Sequence, residues 1–178
     1  MCLILTAINP NSEFKLVLAS NRDEFYERPT KNMFWRSDKN ILSGEDELKK
    51  GMWLGLNKKG SLAAVTNVRD LSDEGTELDE QSDGVFVLGN KKYNSKSEKL
   101  LSAKNDFSDV LKSQLTHQRL LQLMSEPANE PFAFSNTFIK GNHGNEFNAR
   151  FINSDIYGTR ATTIITIDQE NLCLITER

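Results

Sequence analysis

The chain has 178 residues, of which 38% are apolar and 26% are charged, and its net charge is −3 at pH 7. This composition is typical of one globular domain, and it excludes collagen-like, coiled-coil and wholly disordered chains. No apolar run approaches the roughly 20 residues of a membrane-spanning helix. The negative charge gives no general attraction to nucleic acid. Cys2 and Cys173 are too few for a disulfide framework, so a reducing compartment is expected.

The first third of the chain predicts two β-hairpins in tandem. Residues 2–8 form an apolar run of strand length, and residues 14–20 form a second run after a turn. A third run, over residues 52–56, is followed by a turn and by a partner strand over residues 62–67. The aromatic-rich segment between the two hairpins is predicted to be irregular because Pro29 interrupts it.

The composition changes abruptly at residue 70. Residues 70–83 contain seven acidic residues and no basic residue. Such a run is typical of a solvated loop. A metal site or an acidic partner site is the alternative, although the spacing of an EF-hand loop does not fit.

The rest of the chain predicts one more strand, two helices and a terminal hairpin. Residues 85–88 form a short apolar strand, and residues 95–126 have helical spacing with a break at Asn105-Asp106. Residues 161–167 and 171–175 are predicted to pair as the last two strands. With about seven strands and two helices, the expected fold class is α+β with mostly antiparallel sheets.

Cys2 is the first candidate for chemistry. Removal of the initiator methionine would leave a free amine and a thiol on the same residue. Because an α-amine has a pKa near 7.7–8.0, it can accept the thiol proton without a histidine. This is the N-terminal-nucleophile arrangement. The alternative is a small apolar side chain in a buried strand.

The segment Asn21-Arg22-Asp23-Glu24 is the second candidate. It follows the second strand, so the hairpin returns it to the level of Cys2. An arginine–aspartate pair there can orient the amine and thiol and lower the pKa of the thiol. The alternative is a charged, solvated strand end.

Two further segments carry polar groups at strand ends. Asn67 ends a predicted strand, where its amide can donate to an oxyanion or can simply form a turn. Arg160 can hold a carboxylate or a phosphate. Gly158 permits a close approach of the backbone to a ligand. The alternative for residues 157–160 is a turn before the last hairpin.

In combination and in this order, these segments resemble the NRDE family, which is the transport-and-Golgi-organisation-2 family. The resemblance is carried by Met1-Cys2, by Trp53-Leu54-Gly55, and by residues 21–29, 63–67 and 157–160. It implies an N-terminal-nucleophile-hydrolase-like αββα sandwich, formed by residues 1–178 as a single NRDE-type domain. No metal site is expected.

The resemblance also implies catalytic positions, carried over residue by residue. Those positions are Cys2 as the nucleophile, Arg22 and Asp23 beside it, Asn67 on the oxyanion side, Asn90 at the end of a glycine-rich segment, and Arg160 near the substrate or the nucleophile. In the glycine-rich segment, Gly89 replaces the serine that is usual in the family.

The roles recorded for the family imply a soluble factor in Golgi organisation and secretory-pathway protein transport, cytoplasmic or peripheral at the Golgi or mitochondria. Secretory-pathway proteins are the implied partners, and haem or another small ligand is the implied cargo. The alternative is an N-terminal-cysteine amidohydrolase that acts on a small amide. Cys2, Cys173, His117 and His143 are conceivable haem ligands, but none lies in a ligand-spacing motif. Cys173 is expected to be buried, and His117 is expected either to be exposed or to lie at the edge of the core.

The chain departs from the family after Asn67. Members carry a longer segment there, including an additional strand, and the acidic residues 70–83 stand in its place. The chain also reaches Arg178 early. At least one central strand is therefore expected to be missing, and the sandwich is expected to be incomplete.

Overall fold

The computed structural model describes residues 2–36, 40–67, 84–90, 98–126 and 149–178. Within these ranges it contains nine strands and two helices. They are β1 (Leu3–Ile8), β2 (Phe14–Phe25), β3 (Thr30–Arg36), β4 (Ile41–Asp46), β5 (Leu54–Asn57), β6 (Leu62–Ala64), β7 (Val85–Leu88), α1 (Glu98–Lys112), α2 (His117–Met124), β8 (Tyr157–Asp168) and β9 (Cys173–Glu177). No helix in the described ranges is long and apolar enough to cross a membrane.

The strands form two sheets. The five-stranded sheet has the order β7-β1-β2-β8-β9, and the four-stranded sheet has the order β3-β4-β5-β6. Every pairing between these strands is antiparallel. The expected α+β class with antiparallel sheets is therefore confirmed, whereas the N-terminal-nucleophile-hydrolase likeness stays a prediction.

The five-stranded sheet is covered on both faces. On one face, Leu3, Leu5 and Ala7 of β1 share a buried cluster with side chains of α1 and α2. On the other face, Ile4 shares a second cluster with Leu54 and other side chains of the four-stranded sheet. Side chains alternate between the two faces of a strand. The continuous apolar run of β1 follows because both of its faces are buried.

The prediction of a solvated strand end at residues 21–24 is wrong. β2 continues through this segment to Phe25, because β8 pairs with it along nearly its whole length. Asn21, Arg22 and Asp23 are at most 5% exposed. The alternative of a turn at residues 157–160 is wrong for the same reason, since these residues begin β8.

Other element boundaries also differ from the sequence prediction, and the strand predicted over residues 62–67 ends at Ala64. The segment after Pro29 is not irregular, since it forms β3 and pairs with β4. The helices separate at residues 113–116 rather than at Asn105, which is an exposed residue within α1. α2 begins where the Thr116 side chain accepts a hydrogen bond from the backbone N–H of Arg119, at 3.2 Å.

The predicted terminal hairpin is confirmed as β8 and β9. Cys173, however, is exposed rather than buried. It begins β9 at the edge of the sheet, where Leu172 and Leu174 are also exposed. The acidic run at residues 70–83 and His143 lie outside the described residues.

His117, at the start of α2, is partly buried and contacts both strands of the terminal hairpin. Its two ring nitrogens lie 2.8 Å from Thr176 Oγ1 and 2.9 Å from Thr166 Oγ1. Burial lowers the pKa of His117 below its ordinary value near 6.5. The unfolded chain therefore binds this proton more readily, so we expect the free energy of unfolding to fall as the pH drops from 7.5 to 5.5.

Urea denaturation of the wild type and of His117→Gln at the two pH values tests this expectation. The variant lacks the titrating ring, so its stability should change less over the same interval. Equal changes in the two proteins would contradict this account of His117.

Candidate functional site

A cavity of about 160 Å³ lies where the amino end of β1 and the far part of β2 face the four-stranded sheet. It brings together five of the six predicted site residues. Its lining consists of Cys2, Arg22, Asp23, Glu24, Arg28, Asp46, Gly51, Met52, Trp53, Val65, Asn67 and Asn90. Arg160, the sixth predicted residue, is not part of this lining. We call this cavity the Cys2 pocket.

Strand pairing places Cys2 in the pocket. Leu3, the first residue of β1, pairs with Asn21, so Cys2 comes level with Arg22. The Cys2 nitrogen donates a hydrogen bond of 2.6 Å to Asn90 Oδ1. Burial raises the pKa of the Cys2 thiol, against the lowering effects of the amino terminus, the Asp23 backbone N–H and Arg22. The thiol is therefore protonated at neutral pH and needs a base to become a nucleophile.

Asn90 holds together two segments that follow different strands. Its Nδ2 donates to the backbone carbonyl of Asn67 at 2.7 Å, while Thr66 Oγ1 donates to the carbonyl of Gly89 at 2.8 Å. Both ends of the Asn90 side chain therefore bond to main-chain groups, Oδ1 to the Cys2 nitrogen and Nδ2 to the Asn67 carbonyl. The geometry gives Asn90 a positioning role. Asn67 borders the cavity, and its role toward an oxyanion stays a prediction.

Arg22 contributes a positive charge to the lining of the Cys2 pocket. Its guanidinium lies over the Trp53 ring, with Cζ 4.3 Å from the ring centroid, and Nη1 donates to Thr30 Oγ1 at 2.9 Å. Burial lowers the pKa of Arg22, but a guanidinium remains charged at neutral pH. The stacking on Trp53 compensates in part for its lost hydration.

Asp23 is held by β8. Its Oδ1 accepts a hydrogen bond of 2.6 Å from Thr159 Oγ1, and its carbonyl accepts one of 3.1 Å from the Tyr157 hydroxyl. Burial is the main cause that raises the pKa of Asp23. Arg22 pairs with Ala161 and Asp23 pairs with Thr159, so Arg160 is the extra residue of a β-bulge.

Arg160 lies outside the lining of the Cys2 pocket and binds main-chain carbonyls. Arg160 Nη1 donates to the carbonyls of Phe25, Tyr26 and Arg28 at 3.1, 2.8 and 3.3 Å. It therefore fixes the turn that follows β2. A contact of Arg160 with substrate or nucleophile stays a prediction.

The rim of the pocket is an ionic network that the sequence analysis missed. Arg28 Nη1 lies 3.1 Å from Glu24 Oε2, and Arg28 Nη2 pairs with Asp46 Oδ2. Its hydrogen bond to Asp46 raises the pKa of Arg28. Burial alone would raise the pKa of Asp46, but hydrogen bonds from Arg28 and from two backbone N–H groups lower it. Asp46 ends an ordinary polar strand, and no sequence signal marked it.

Asn21 lies outside the pocket and serves the fold. Its Nδ2 donates to the carbonyls of Met124 and Arg150 at 2.9 and 2.7 Å, and its Oδ1 accepts from Thr162 Oγ1 at 2.7 Å. Asn21 thus faces the helical layer, whereas Arg22, its neighbour in the strand, faces the four-stranded sheet. The alternation of a strand divides the tetrapeptide between two layers.

These features define an α+β protein of two antiparallel sheets with a small cysteine-containing pocket between them. The chain belongs to the Transport and Golgi organisation 2 family, whose model matches residues 1–83 and 71–178. This confirms the family resemblance that the sequence suggested.

Relatives are similar over part of their length. A Transport and Golgi organization protein 2 homolog of Homo sapiens is 44% identical over 75 residues, which cover 38% of this chain and 27% of that protein. The homolog of Bos taurus is 43% identical, with the same coverage. An uncharacterised protein of Saccharomyces cerevisiae is 37% identical over 93 residues, or 48% of this chain and 29% of that protein. The match thus spans little more than a quarter of these relatives.

Proposed function

We propose that this chain acts in Golgi organisation and secretory-pathway protein transport, and that it does so by binding a small ligand in the Cys2 pocket. The names of the relatives support the first part. The observation that carries the second part is the pocket itself, where Cys2, Arg22, Asp23, Asn67 and Asn90 meet. A peripheral position at the Golgi, with secretory-pathway proteins as partners, completes the proposal.

The pocket favours a small polar ligand over haem. Its volume of about 160 Å³ is below the roughly 300–1,000 Å³ of typical cofactor and drug sites. Arg22 and Trp53 offer a cation and an aromatic face to such a ligand. His117 is one of the conceivable haem ligands, but both of its ring nitrogens already contact threonine hydroxyls. Haem is therefore the less favoured cargo.

The second candidate function is hydrolysis of a small amide by Cys2. The specific observation in its favour is the Cys2 nitrogen, which lies 2.6 Å from the side chain of Asn90. After loss of Met1 this nitrogen would be an amine on the same residue as the thiol, oriented by Asn90. A base and a nucleophile would then occupy one residue.

In this reaction Cys2 Sγ attacks the amide carbon while its proton passes to the Cys2 amine. The tetrahedral intermediate carries its negative charge on the former carbonyl oxygen, for which Asn67 is the predicted donor. The leaving amine takes the proton as the C–N bond breaks, and an acyl thioester remains on Cys2. Water, deprotonated by the Cys2 amine, then releases the acid and restores the thiol.

We expect protein purified from cells to lack Met1 and to react once, at Cys2, with a thiol-directed acyl probe. The measurement is intact mass before and after labelling, in a Cys173→Ser background because Cys173 is exposed. Cys2→Ala should abolish labelling. The same variant should also fail to restore secretory transport in cells depleted of the protein.

Each readout bears on a different part of the proposal. A retained Met1 or an unlabelled Cys2 would exclude amide hydrolysis, because no free amine and reactive thiol would then share the residue. Full restoration of transport by Cys2→Ala would exclude the thiol from the transport role.

A further inference from the structure

Lys99 is a buried cation to which neither candidate function assigns a role. It stands in the first turn of α1 and is 7% exposed. Its Nζ is enclosed and has no hydrogen-bond partner among the residues that the structure describes. Burial of an ammonium is costly unless an opposite charge compensates it. The partial positive charge at the start of a helix adds to this cost.

Arg150 links α1 to β2, the strand that carries Asp23. Arg150 Nη2 donates to Ser102 Oγ on α1 at 3.0 Å, while the Arg150 carbonyl accepts from Asn21 on β2. Arg150 therefore bridges α1 at Ser102 and β2 at Asn21, while α1 itself packs against β7 and β1. Lys99 is three residues before Ser102, or about 4.5 Å along the helix. Asp23 is two residues beyond Asn21 on the same face, or about 6.6 Å along the strand.

The first turn of α1 also packs against the segment that positions Cys2. A Cβ atom at Gly89 would lie only 3.0 Å from Leu100 Cδ2, so this turn of the helix sits closely on residue 89. The next residue is Asn90, which binds the Cys2 nitrogen. The first turn of α1, which includes Lys99, therefore lies next to the segment that positions Cys2.

The electrostatics agree with this placement. Burial lowers the pKa of Lys99, whereas the charges of Asp23 and Cys2 act to raise it. Arg150 lowers it further, but that guanidinium is already paired with Asp106 and Glu126. Asp23 and, once its thiol ionises, Cys2 are thus the groups whose negative charge favours the Lys99 ammonium.

We propose that Lys99 is a positioning residue of the Cys2 pocket, and that its ammonium stabilises the Cys2 thiolate from the helical side of the five-stranded sheet. The proposal rests on the role of Cys2 as a nucleophile. When the thiol ionises, Cys2 and Asp23 carry two negative charges. Arg22 provides one positive charge from the space between the two sheets, and Lys99 provides a second one from the helical side of the five-stranded sheet. The charges that act on the pKa of the Cys2 thiol include the amino terminus and Arg22, which favour the thiolate, and Asp23, which opposes it.

The test is the rate of alkylation of Cys2 by iodoacetamide from pH 6 to pH 10, in the Cys173→Ser background. Lys99→Met should slow alkylation roughly tenfold at pH 7.5 and move the pH profile upward by about one unit. Lys112→Met is the matched control, since it removes a cation from the same helix about 20 Å away. It should leave the profile unchanged. Lys99→Arg should restore much of the rate.

If Lys99→Met does not fold, a second pair of variants provides the test: Asp23→Asn alone and Asp23→Asn combined with Lys99→Met. In Asp23→Asn no buried carboxylate is left uncompensated, so addition of Lys99→Met to it should still move the profile upward. A folded Lys99→Met with the wild-type profile would overturn the proposal, as would no further shift in the Asp23→Asn background. Alkylation needs neither loss of Met1 nor an amide substrate, so failure of the hydrolase proposal would leave this result standing.

Discussion

Asn21→Ala is expected to lower the free energy of unfolding by about 3 to 5 kcal/mol. The Asn21 side chain is completely buried and uses all three of its hydrogen bonds on elements distant in the sequence. Alanine would leave two carbonyls and the Thr162 hydroxyl without this partner. Each unsatisfied buried polar group costs about 1 to 3 kcal/mol.

The loss should be seen as a lower urea midpoint with an unchanged slope. Asn32→Ala is the matched control, because Asn32 is an exposed strand residue of β3. A surface change of this kind usually stays within about 0.5 kcal/mol. Equal midpoints for Asn21→Ala and Asn32→Ala would show that Asn21 does not clamp the helical layer to β2.

Gly158→Ala is expected to lower the free energy of unfolding by about 2 to 3 kcal/mol. A Cβ atom there would lie 2.7 Å from the carbonyl oxygen of Ile152 and would collide with the Tyr26 hydroxyl. The tyrosine can rotate away, but the carbonyl belongs to backbone that pairs with β8 through the Asn153–Gly158 bridge. The close approach that the sequence predicted for Gly158 is thus to the chain itself.

Thermal unfolding followed by circular dichroism measures this effect. Gly51→Ala provides the matched control, since a Cβ there would have no atom within 4 Å. It should change stability by only a few tenths of a kcal/mol. A Gly158→Ala protein as stable as Gly51→Ala would mean that residues 152–153 shift freely, contrary to the packing described.

Apolar runs and turn residues were enough to predict β1, the start of β2, β7 and the terminal hairpin. The continuation of β2 through residues 21–24 was not predictable from local pattern. Charged residues there suggest an exposed end until their partners are known. Those partners include Thr30, Thr159 and Thr162, and the last two lie more than 130 residues away.

The candidate site was predictable where the family resemblance covered it. Cys2, Arg22, Asp23, Asn67 and Asn90 do meet in one pocket. Arg160 could not be placed from its spacing, because one bulge residue in β8 decides which face it takes.

Lys99 carried no sequence signal at all. In the sequence it is one lysine among several around α1, and helix lysines are usually solvated. Only the packing of α1 on the sheet shows that it is enclosed.

The division of Asn21-Arg22-Asp23-Glu24 between two layers has a consequence for how the segment tolerates change in length. Asn21 serves the helical side, and Arg22 serves the side of the second sheet. One inserted residue would therefore exchange the destinations of all side chains that follow it. Two inserted residues would preserve the destinations but displace the carboxylate along the strand. The order of the four residues therefore matters as much as their identity.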